Sequence, residues 1–218
     1  MLLFIYLPQF WVKRVLDKYN QRDEPNFSGS GGELARHLLD RFELSHIKVE
    51  TTELGDHYDP VAQCLRLTPD KYEGKTLTAI TVAAHECGHA LQHAAKEPLF
   101  MLRSRLATTS VWAARLGSFL LFSAPFLVLI TRAPSVALLN ITGAFLIMGF
   151  ALLLQIITLP VELDASFNKA LPLLKSGYLD AAQIPAAQQI LKAAAWTYVA
   201  GSLASLLNFW RWLAVLRR

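Results

Sequence analysis

The stretch AAHECGHALQH, residues 83–93, contains three of the six histidines of the chain and a glutamate beside the first of them. The hydrophobic pattern around this stretch predicts a helix from Leu77 to about Ala95. His85 and His89 are four positions apart, so a helix places both imidazoles on one face, about one turn from each other. The stretch therefore predicts a helix that presents two histidines side by side.

His85 and His89 have the spacing of two ligands of one zinc ion. Two imidazole nitrogens at this separation can share a tetrahedral zinc at about 2.0–2.1 Å each. Glu86 projects beside the same face and can accept a proton from water there, which is the H-E-x-x-H arrangement of zinc peptidases. His93 lies too far along the helix to join them, so we predict a supporting or surface position for it. Cys87 points away from this face and is predicted to be a small buried side chain.

Composition indicates a membrane protein. The chain is 53% hydrophobic and 17% charged, with a net charge of +4, whereas soluble domains carry about 25% charged residues. Two apolar runs, roughly 108–131 and 135–159, are each long enough for a transmembrane helix and predict a hairpin. The basic residues flank apolar segments and form no nucleic-acid surface, so we predict no nucleic-acid partner. Their distribution predicts a multi-pass protein of the cell inner (plasma) membrane with a cytoplasmic catalytic face.

These patterns divide the chain into five predicted parts. They are an N-terminal membrane anchor (1–18), a catalytic domain with edge strands and the histidine helix (19–107), a transmembrane hairpin (108–159), a helical segment that supplies the third metal ligand (160–194) and a C-terminal transmembrane helix (195–218).

The third metal ligand is expected to be a carboxylate from another helix. The candidates are Glu33, Glu162 and Asp164. The segment PVELDAS, residues 160–166, begins a polar helix directly after the predicted hairpin, and two crossings return it to the membrane side of His85. Glu162 and Asp164 meet this topological requirement, and a poorly solvated carboxylate at that place needs a partner.

Four blocks of the sequence resemble the YugP-type membrane zinc metallopeptidases, also called neutral zinc metallopeptidase family 2. The blocks are DHYDP at 56–60, VAAHECGHALQ at 82–92, TLPVELDAS at 158–166 and LKAAAWTYVA at 191–200, in this order and at similar spacing. More distantly, the chain resembles the HtpX- and Ste24-type membrane gluzincins. The resemblance implies a mainly α fold, in which integral membrane helices accompany a small α+β gluzincin-like HExxH catalytic domain.

The resemblance to the gluzincins also implies roles for single residues. Those enzymes take their third ligand from an E-x-x-A-D helix, and here Glu162 and Ala165 match while Ser166 replaces the aspartate. This favours Glu162 over Asp164 as the ligand, and we expect Asp164 to take over the supporting role of the missing aspartate.

The resemblance places the DHYDP block at the end of an edge strand that faces the metal. His57 or Tyr58 could then donate a hydrogen bond to the oxyanion of the tetrahedral intermediate, and we predict His57 for this catalytic role. Asp56 and Asp59 are expected to cap the turn. The substrate backbone is expected to pair with QCLRLT, residues 63–68, as an added strand.

The predicted function is that of an integral membrane zinc metalloendopeptidase acting on membrane or membrane-proximal proteins. Zn²⁺ held by His85, His89 and Glu162 would activate water and polarise the scissile carbonyl, and Glu86 would carry the proton to the leaving amine. The predicted partners are a polypeptide substrate and a lipid membrane, with a homo-oligomer or a regulatory membrane partner left open. The alternatives are an inactive metal-binding membrane scaffold that regulates a partner and a zinc enzyme acting on a non-peptide amide.

Overall fold

Helix α4 (Leu77–Ala94), which carries the histidines, lies at the centre of the fold. The computed structural model describes residues 2–20 and 27–196. The helix begins at Thr76, whose hydroxyl accepts a hydrogen bond from the backbone N–H of Ala79 at 3.0 Å. The helix predicted from Leu77 to about Ala95 is therefore confirmed.

The described part of the chain is mostly helical with a small sheet. Its other elements are α1 (Leu2–Asn20), α2 (Gly31–Arg41), β1 (Lys48–Thr51), β2 (His57–Asp59), β3 (Cys64–Leu67), α3 (Pro69–Tyr72), α5 (Pro98–Thr131), α6 (Pro134–Leu163), a π-helical segment (Asp164–Ala170) and α7 (Leu171–Lys175). A last helix, α8, begins at residue 184 and is described through residue 196.

The three strands form a sheet in the order β1-β3-β2. Strand β1 pairs with β3 in parallel, and β2 pairs with β3 in antiparallel orientation, so that Tyr58 lies opposite Leu65. Because β3 is the central strand, its backbone groups are already paired on both sides. The prediction that substrate would pair with residues 63–68 is therefore wrong, since the free edges among the described strands belong to β1 and β2.

Helix α2 covers the sheet and α4 with its apolar face. Leu34, Leu38 and Leu39 of this helix are buried in one cluster with Leu65 of β3. The helix begins with a capping box, in which Glu33 accepts a hydrogen bond from the N–H of Ser30 and donates its own N–H to the Ser30 hydroxyl. Glu33, a candidate third metal ligand, is thus engaged in capping a helix.

Helices α5 and α6 form an antiparallel pair that returns the chain to α4. Arg132, in the left-handed conformation with φ 54°, ends α5 and lies in the short turn between the two helices. The side chain of Asn140 in α6 donates hydrogen bonds to the carbonyl of Leu120 at 2.8 Å and to the hydroxyl of Ser123 at 3.2 Å in α5. The pair therefore delivers the end of α6 to the histidine helix.

In residues 2–20 and 27–196, no helix contains a stretch that is both long and apolar enough to cross a membrane. The prediction of integral membrane helices, with a transmembrane hairpin over 108–159, is therefore wrong. A span needs about 20 consecutive, predominantly apolar residues in one helix. From residue 197 onward, the predicted C-terminal transmembrane helix lies outside the described residues.

Helix α1, predicted as a membrane anchor over residues 1–18, packs against the start of α4. The hydroxyl of Thr78 donates a hydrogen bond to the carbonyl of Leu16 at 2.9 Å. The hydroxyl of Thr76 donates to the side-chain oxygen of Asn20 at 2.7 Å. These contacts tie the end of α1 to the helix that carries the site.

Candidate metal centre

His85, His89 and Glu162 meet in a buried position between α4 and the end of α6. Glu162 Oε2 lies 3.2 Å from His85 Nε2 and 3.3 Å from His89 Nε2. The potential ligand atoms of the three residues all lie within 4.8 Å of one another. The side chains are almost inaccessible, with exposed fractions of 5%, 4% and 0%. The structure thus brings together the three residues selected from the sequence as metal ligands.

The separations between Glu162 and the two imidazoles fit a tetrahedral zinc ion. Zinc bonds of about 2.0–2.1 Å to nitrogen and oxygen imply a ligand–ligand separation of about 3.3–3.4 Å. The separations of Glu162 Oε2 from the two imidazoles, 3.2 and 3.3 Å, are close to this value. Two imidazoles and one carboxylate are also the protein ligands of many catalytic zinc sites, which keep the fourth position for water or substrate.

The carboxylate of Glu162 needs positive charge beside it. Nη2 of Arg103, in α5, lies 2.9 Å from Glu162 Oε1 and forms an ion pair with it. Within the described residues, no donor has the geometry of a hydrogen bond to this buried oxygen. Burial by itself would raise the pKa of Glu162, yet the charges of His89 and Arg103 and hydrogen bonds from His85 and His89 lower it well below its usual range. Glu162 is therefore an anion at neutral pH, as a zinc ligand must be.

Glu86 lies beside the cluster and is nearly as buried, with 6% of its surface exposed. Burial is the main reason why its pKa is raised to about 7, and the charges of Glu162 and Asp56 raise it further, whereas His85 and Arg103 lower it. A cation bound at the cluster would lower this pKa again, because it favours the charged carboxylate. An ionised carboxylate beside the cluster is suited to accept a proton and return it.

Helix α4 and the π-helical segment approach each other closely at Gly88. A Cβ atom at this position would lie 2.7 Å from the carbonyl oxygen of Ala165. Beside this contact, the hydroxyl of Ser166 lies 3.1 Å from Nδ1 of His85. π-Helical turns are rare and occur frequently at functional sites. The close approach holds Glu162, just before the π-helical segment, against the histidines.

The comparison with known proteins identifies the family. Residues 1–217 match the family described as "Putative neutral zinc metallopeptidase". The chain belongs to this family. It is 33% identical over 210 residues to the "Putative membrane protease YugP" of Bacillus subtilis (strain 168), and the match covers 95% of this chain and 89% of that protein. No solved structure matches the chain.

The family and the cluster together establish the chemistry in outline. The protein is a zinc metallopeptidase, and the buried group of His85, His89 and Glu162 is able to bind the Zn²⁺ that its family requires. The resemblance to the YugP-type neutral zinc metallopeptidases is confirmed by both comparisons.

In this zinc metallopeptidase, Asp164 is linked to the proposed ligand His89 through Gln92. Its carboxylate accepts hydrogen bonds from Gln92 at 2.8 Å and Asn168 at 2.8 Å and pairs with Lys169 at 3.0 Å. Burial alone would raise its pKa, but these contacts lower it to about 2. The Ser166 hydroxyl lies beside His85, whereas Asp164 reaches His89 through Gln92, so the supporting role of Asp164 stays a prediction.

The residues of the DHYDP block lie on opposite faces of β2. Tyr58 is buried and its hydroxyl lies 2.8 Å from Nδ1 of His93, and burial is the main cause that raises its pKa to about 12. His57 and Asp59 alternate with it, and Nδ1 of His57 lies 2.8 Å from the carbonyl of Gly55. The contact of Tyr58 with His93 thus links β2 to α4. The catalytic role of His57 stays a prediction.

Of the two aspartates of the same block, Asp59 caps a turn as expected, whereas Asp56 joins two strands. Asp59 accepts hydrogen bonds from the backbone N–H groups of Val61 at 2.9 Å and Ala62 at 3.0 Å. Asp56 accepts hydrogen bonds from the N–H of Thr68 at 2.7 Å and from its hydroxyl at 2.9 Å. The latter contact ties the start of β2 to the end of β3.

Three polar neighbours of the metal cluster were missed by the sequence analysis. Gln92 follows His89 by three positions and Ser166 follows Glu162 by four, so helical spacing alone could have placed each beside a predicted ligand. Arg103 was interpreted only as a charge flanking an apolar run, and its contact with Glu162 joins two helices that are separate in sequence.

We expect Gly88→Ala to weaken both the fold and the metal site of the zinc metallopeptidase. The new methyl group would press on the carbonyl of Ala165 and push the π-helical segment away from α4, at a cost of about 1–3 kcal/mol of unfolding free energy. Denaturant unfolding and zinc titration measure the two effects. Gly143→Ala in α6 is the matched control, because its new methyl would meet only Leu120 Cδ1, at 4.0 Å. Equal stability and zinc affinity in Gly88→Ala and the unchanged chain would contradict the close approach.

Proposed function

We propose that the protein is a metalloendopeptidase that hydrolyses peptide bonds with zinc held by His85, His89 and Glu162 and with Glu86 as the general base. The observation that supports this assignment most directly is the buried cluster, in which Glu162 Oε2 lies 3.2 and 3.3 Å from the two imidazole nitrogens. Glu86 adds a proton acceptor that a site for metal binding alone does not need.

In this mechanism, different residues have different roles in hydrolysis. Zinc bound at the cluster supplies a Lewis acid that acidifies water and polarises a carbonyl group. A carboxylate oxygen of Glu86 accepts the proton of the attacking water and delivers it to the nitrogen of the leaving amine. Arg103 keeps Glu162 ionised, because its guanidinium lies 2.9 Å from Oε1. The burial of these groups strengthens each of these electrostatic interactions.

An extended substrate would add to the free edge of β2. Tyr58 of this strand contacts His93 of α4, one turn after His89. The strand therefore lies beside the metal-binding face of α4. Pairing through main-chain hydrogen bonds depends little on side chains, so the cleavage specificity is expected to be loose. His57 lies on this strand, and its proposed oxyanion contact is tested by His57→Ala, which should lower kcat more than it raises KM.

The zinc content of the purified chain and its hydrolysis of casein, with and without a chelator, test the proposed function. Stoichiometric zinc and chelator-sensitive cleavage that returns on adding zinc are expected. Zinc binding without casein cleavage would favour the inactive scaffold or an enzyme for a non-peptide amide, and cleavage that resists the chelator would contradict the metal mechanism.

We also propose that the enzyme associates with lipid membranes and cuts membrane-proximal proteins. Large aromatic side chains along α5, Trp112, Phe119, Phe122 and Phe126, are between 54% and 72% exposed, and contiguous exposed apolar surface marks sites of interaction. The relative from Bacillus subtilis is named a membrane protease. Flotation with phospholipid vesicles tests the association, and replacing Phe119 and Phe122 by serine should reduce it. A chain that stays away from the vesicles would contradict it.

A further inference from the structure

We propose that Gln92 is a positioning residue that fixes the tautomer and the orientation of His89 and couples this imidazole to Asp164. The inference rests on the proposed role of His89 as a zinc ligand. It assigns a function to a side chain that neither binds zinc nor touches the substrate in the proposed mechanism.

The hydrogen bonds of Gln92 determine which way its amide points. The side chain is 1% exposed and lies on α4, three positions after His89. Its Nε2 donates to the carbonyl of Val161 at 2.9 Å and to Asp164 Oδ2 at 2.8 Å. A backbone carbonyl and an ion-paired carboxylate can only accept, so the NH₂ group must face them. The amide oxygen therefore faces the imidazole of His89.

The orientation of this amide in turn determines the protonation of the imidazole. Oε1 of Gln92 lies 2.9 Å from Nδ1 of His89 and can only accept a hydrogen bond, so Nδ1 must carry the proton. In the neutral ring, Nε2 then presents its lone pair to Glu162 Oε2, which lies 3.3 Å away. Two acceptors facing each other are stabilised only by a proton or a metal ion between them. Gln92 thus holds His89 in the tautomer that a metal ion needs.

His85 has a partner of another kind. The hydroxyl of Ser166, 3.1 Å from Nδ1 of His85, can donate or accept a hydrogen bond and therefore does not determine the tautomer of this ring. The two histidines thus differ in how strictly their second nitrogen is controlled. The zinc affinity should depend more strongly on the partner of His89 than on the partner of His85.

The far side of Gln92 is anchored to the segment that follows Glu162. Asp164, at the start of the π-helical segment, pairs with Lys169 at 3.0 Å, and Lys169 also pairs with Glu97 at 2.6 Å. Val161, the other acceptor, directly precedes Glu162 in α6. Gln92 therefore connects α4, which carries His85 and His89, to the backbone on either side of Glu162.

Gln92→Met removes these hydrogen bonds and keeps the length of the side chain. In the full chain, we expect the zinc affinity, measured by competition with a chelator, to fall about 10–100-fold. In the metal-free chain, ¹⁵N NMR should show His89 protonated at Nδ1, and this preference should disappear in the variant. Thr81→Val is the matched control, because Thr81 is buried on the same helix and its hydroxyl has no hydrogen-bond partner in the described part of the chain.

Gln92→Glu and the double variant Gln92→Glu/Asp164→Asn test the coupling to Asp164. The single variant places two carboxylates against each other and should lose zinc affinity. In the double variant, the amide introduced at position 164 can donate to the new carboxylate, so part of the loss should be recovered. A double variant that binds zinc no better than the single variant would refute the coupling.

Two further outcomes would overturn the positioning role. The first is a folded Gln92→Met chain that binds zinc as tightly as the unchanged chain. The second is an unchanged, metal-free chain in which Nδ1 of His89 carries no proton, and this measurement remains decisive even when Gln92→Met does not fold. Failure of the unchanged chain to bind zinc would count against the proposed function instead, because the tautomer is measured without metal.

Discussion

The Glu86→Gln variant is expected to keep its zinc and to lose peptide hydrolysis by about 10²–10⁴-fold in kcat. The amide has nearly the same size as the carboxylate, so the neighbouring ligands His85, His89 and Glu162 keep their positions. It has no basic oxygen, however, and cannot take the proton of the attacking water. Zinc content and casein hydrolysis, measured on the same preparation, test both parts of this expectation.

The control for this variant is Glu50→Gln, which makes the same chemical change far from the cluster. Glu50 lies on β1, where its half-exposed carboxylate pairs with Arg66 at 3.6 Å, and it should tolerate the change without loss of activity. Hydrolysis retained by Glu86→Gln would refute the assignment of the general base. Loss of zinc by this variant would mean that Glu86 contributes to metal binding.

Mutation of a residue that supports a metal ligand typically lowers metal affinity by roughly 10–100-fold. Because Glu162 is itself a proposed ligand, Glu162→Gln should lower the zinc affinity by more than this. The neutral amide is a weaker zinc ligand and no longer balances the guanidinium of Arg103, 2.9 Å from Oε1. Chelator competition measures the affinity, and thermal unfolding of the metal-free chain shows whether the fold survives the change.

Asp164→Asn is the matched control for Glu162, since it changes another carboxylate of the same segment into an amide. Its side-chain oxygen can still accept from Gln92, so we expect a smaller loss of zinc affinity than in Glu162→Gln. The reverse order, with zinc lost from Asp164→Asn and retained by Glu162→Gln, would exchange the roles assigned to the two acids.

The differences between prediction and structure come from contacts over long distances along the chain. Edge strands were predicted before the histidine helix, but a strand pattern does not tell which strands pair, so the central position of β3 was not predicted. The DHYDP block was placed at the end of an edge strand, whereas its residues 57–59 form the three-residue strand β2. The membrane helices were predicted from the length of two apolar runs, whereas no helix in residues 2–20 and 27–196 is both long and apolar enough to cross a membrane.

The local sequence determined the histidine helix and the arrangement of its reactive groups. An α-helix fixes the positions of residues one and four apart, so the spacing of His85, Glu86 and His89 predicted their shared location without knowledge of the fold. The local pattern left Glu33, Glu162 and Asp164 as candidates for the carboxylate beside them, and the resemblance to the gluzincins favoured Glu162. Only the tertiary structure decided that Glu162 lies there, 73 positions from His89, with Arg103 and Gln92 around it. Those contacts depend on how α5 and α6 pack and where the π-helical segment meets α4, and side-chain packing between distant segments is not specified by any local pattern.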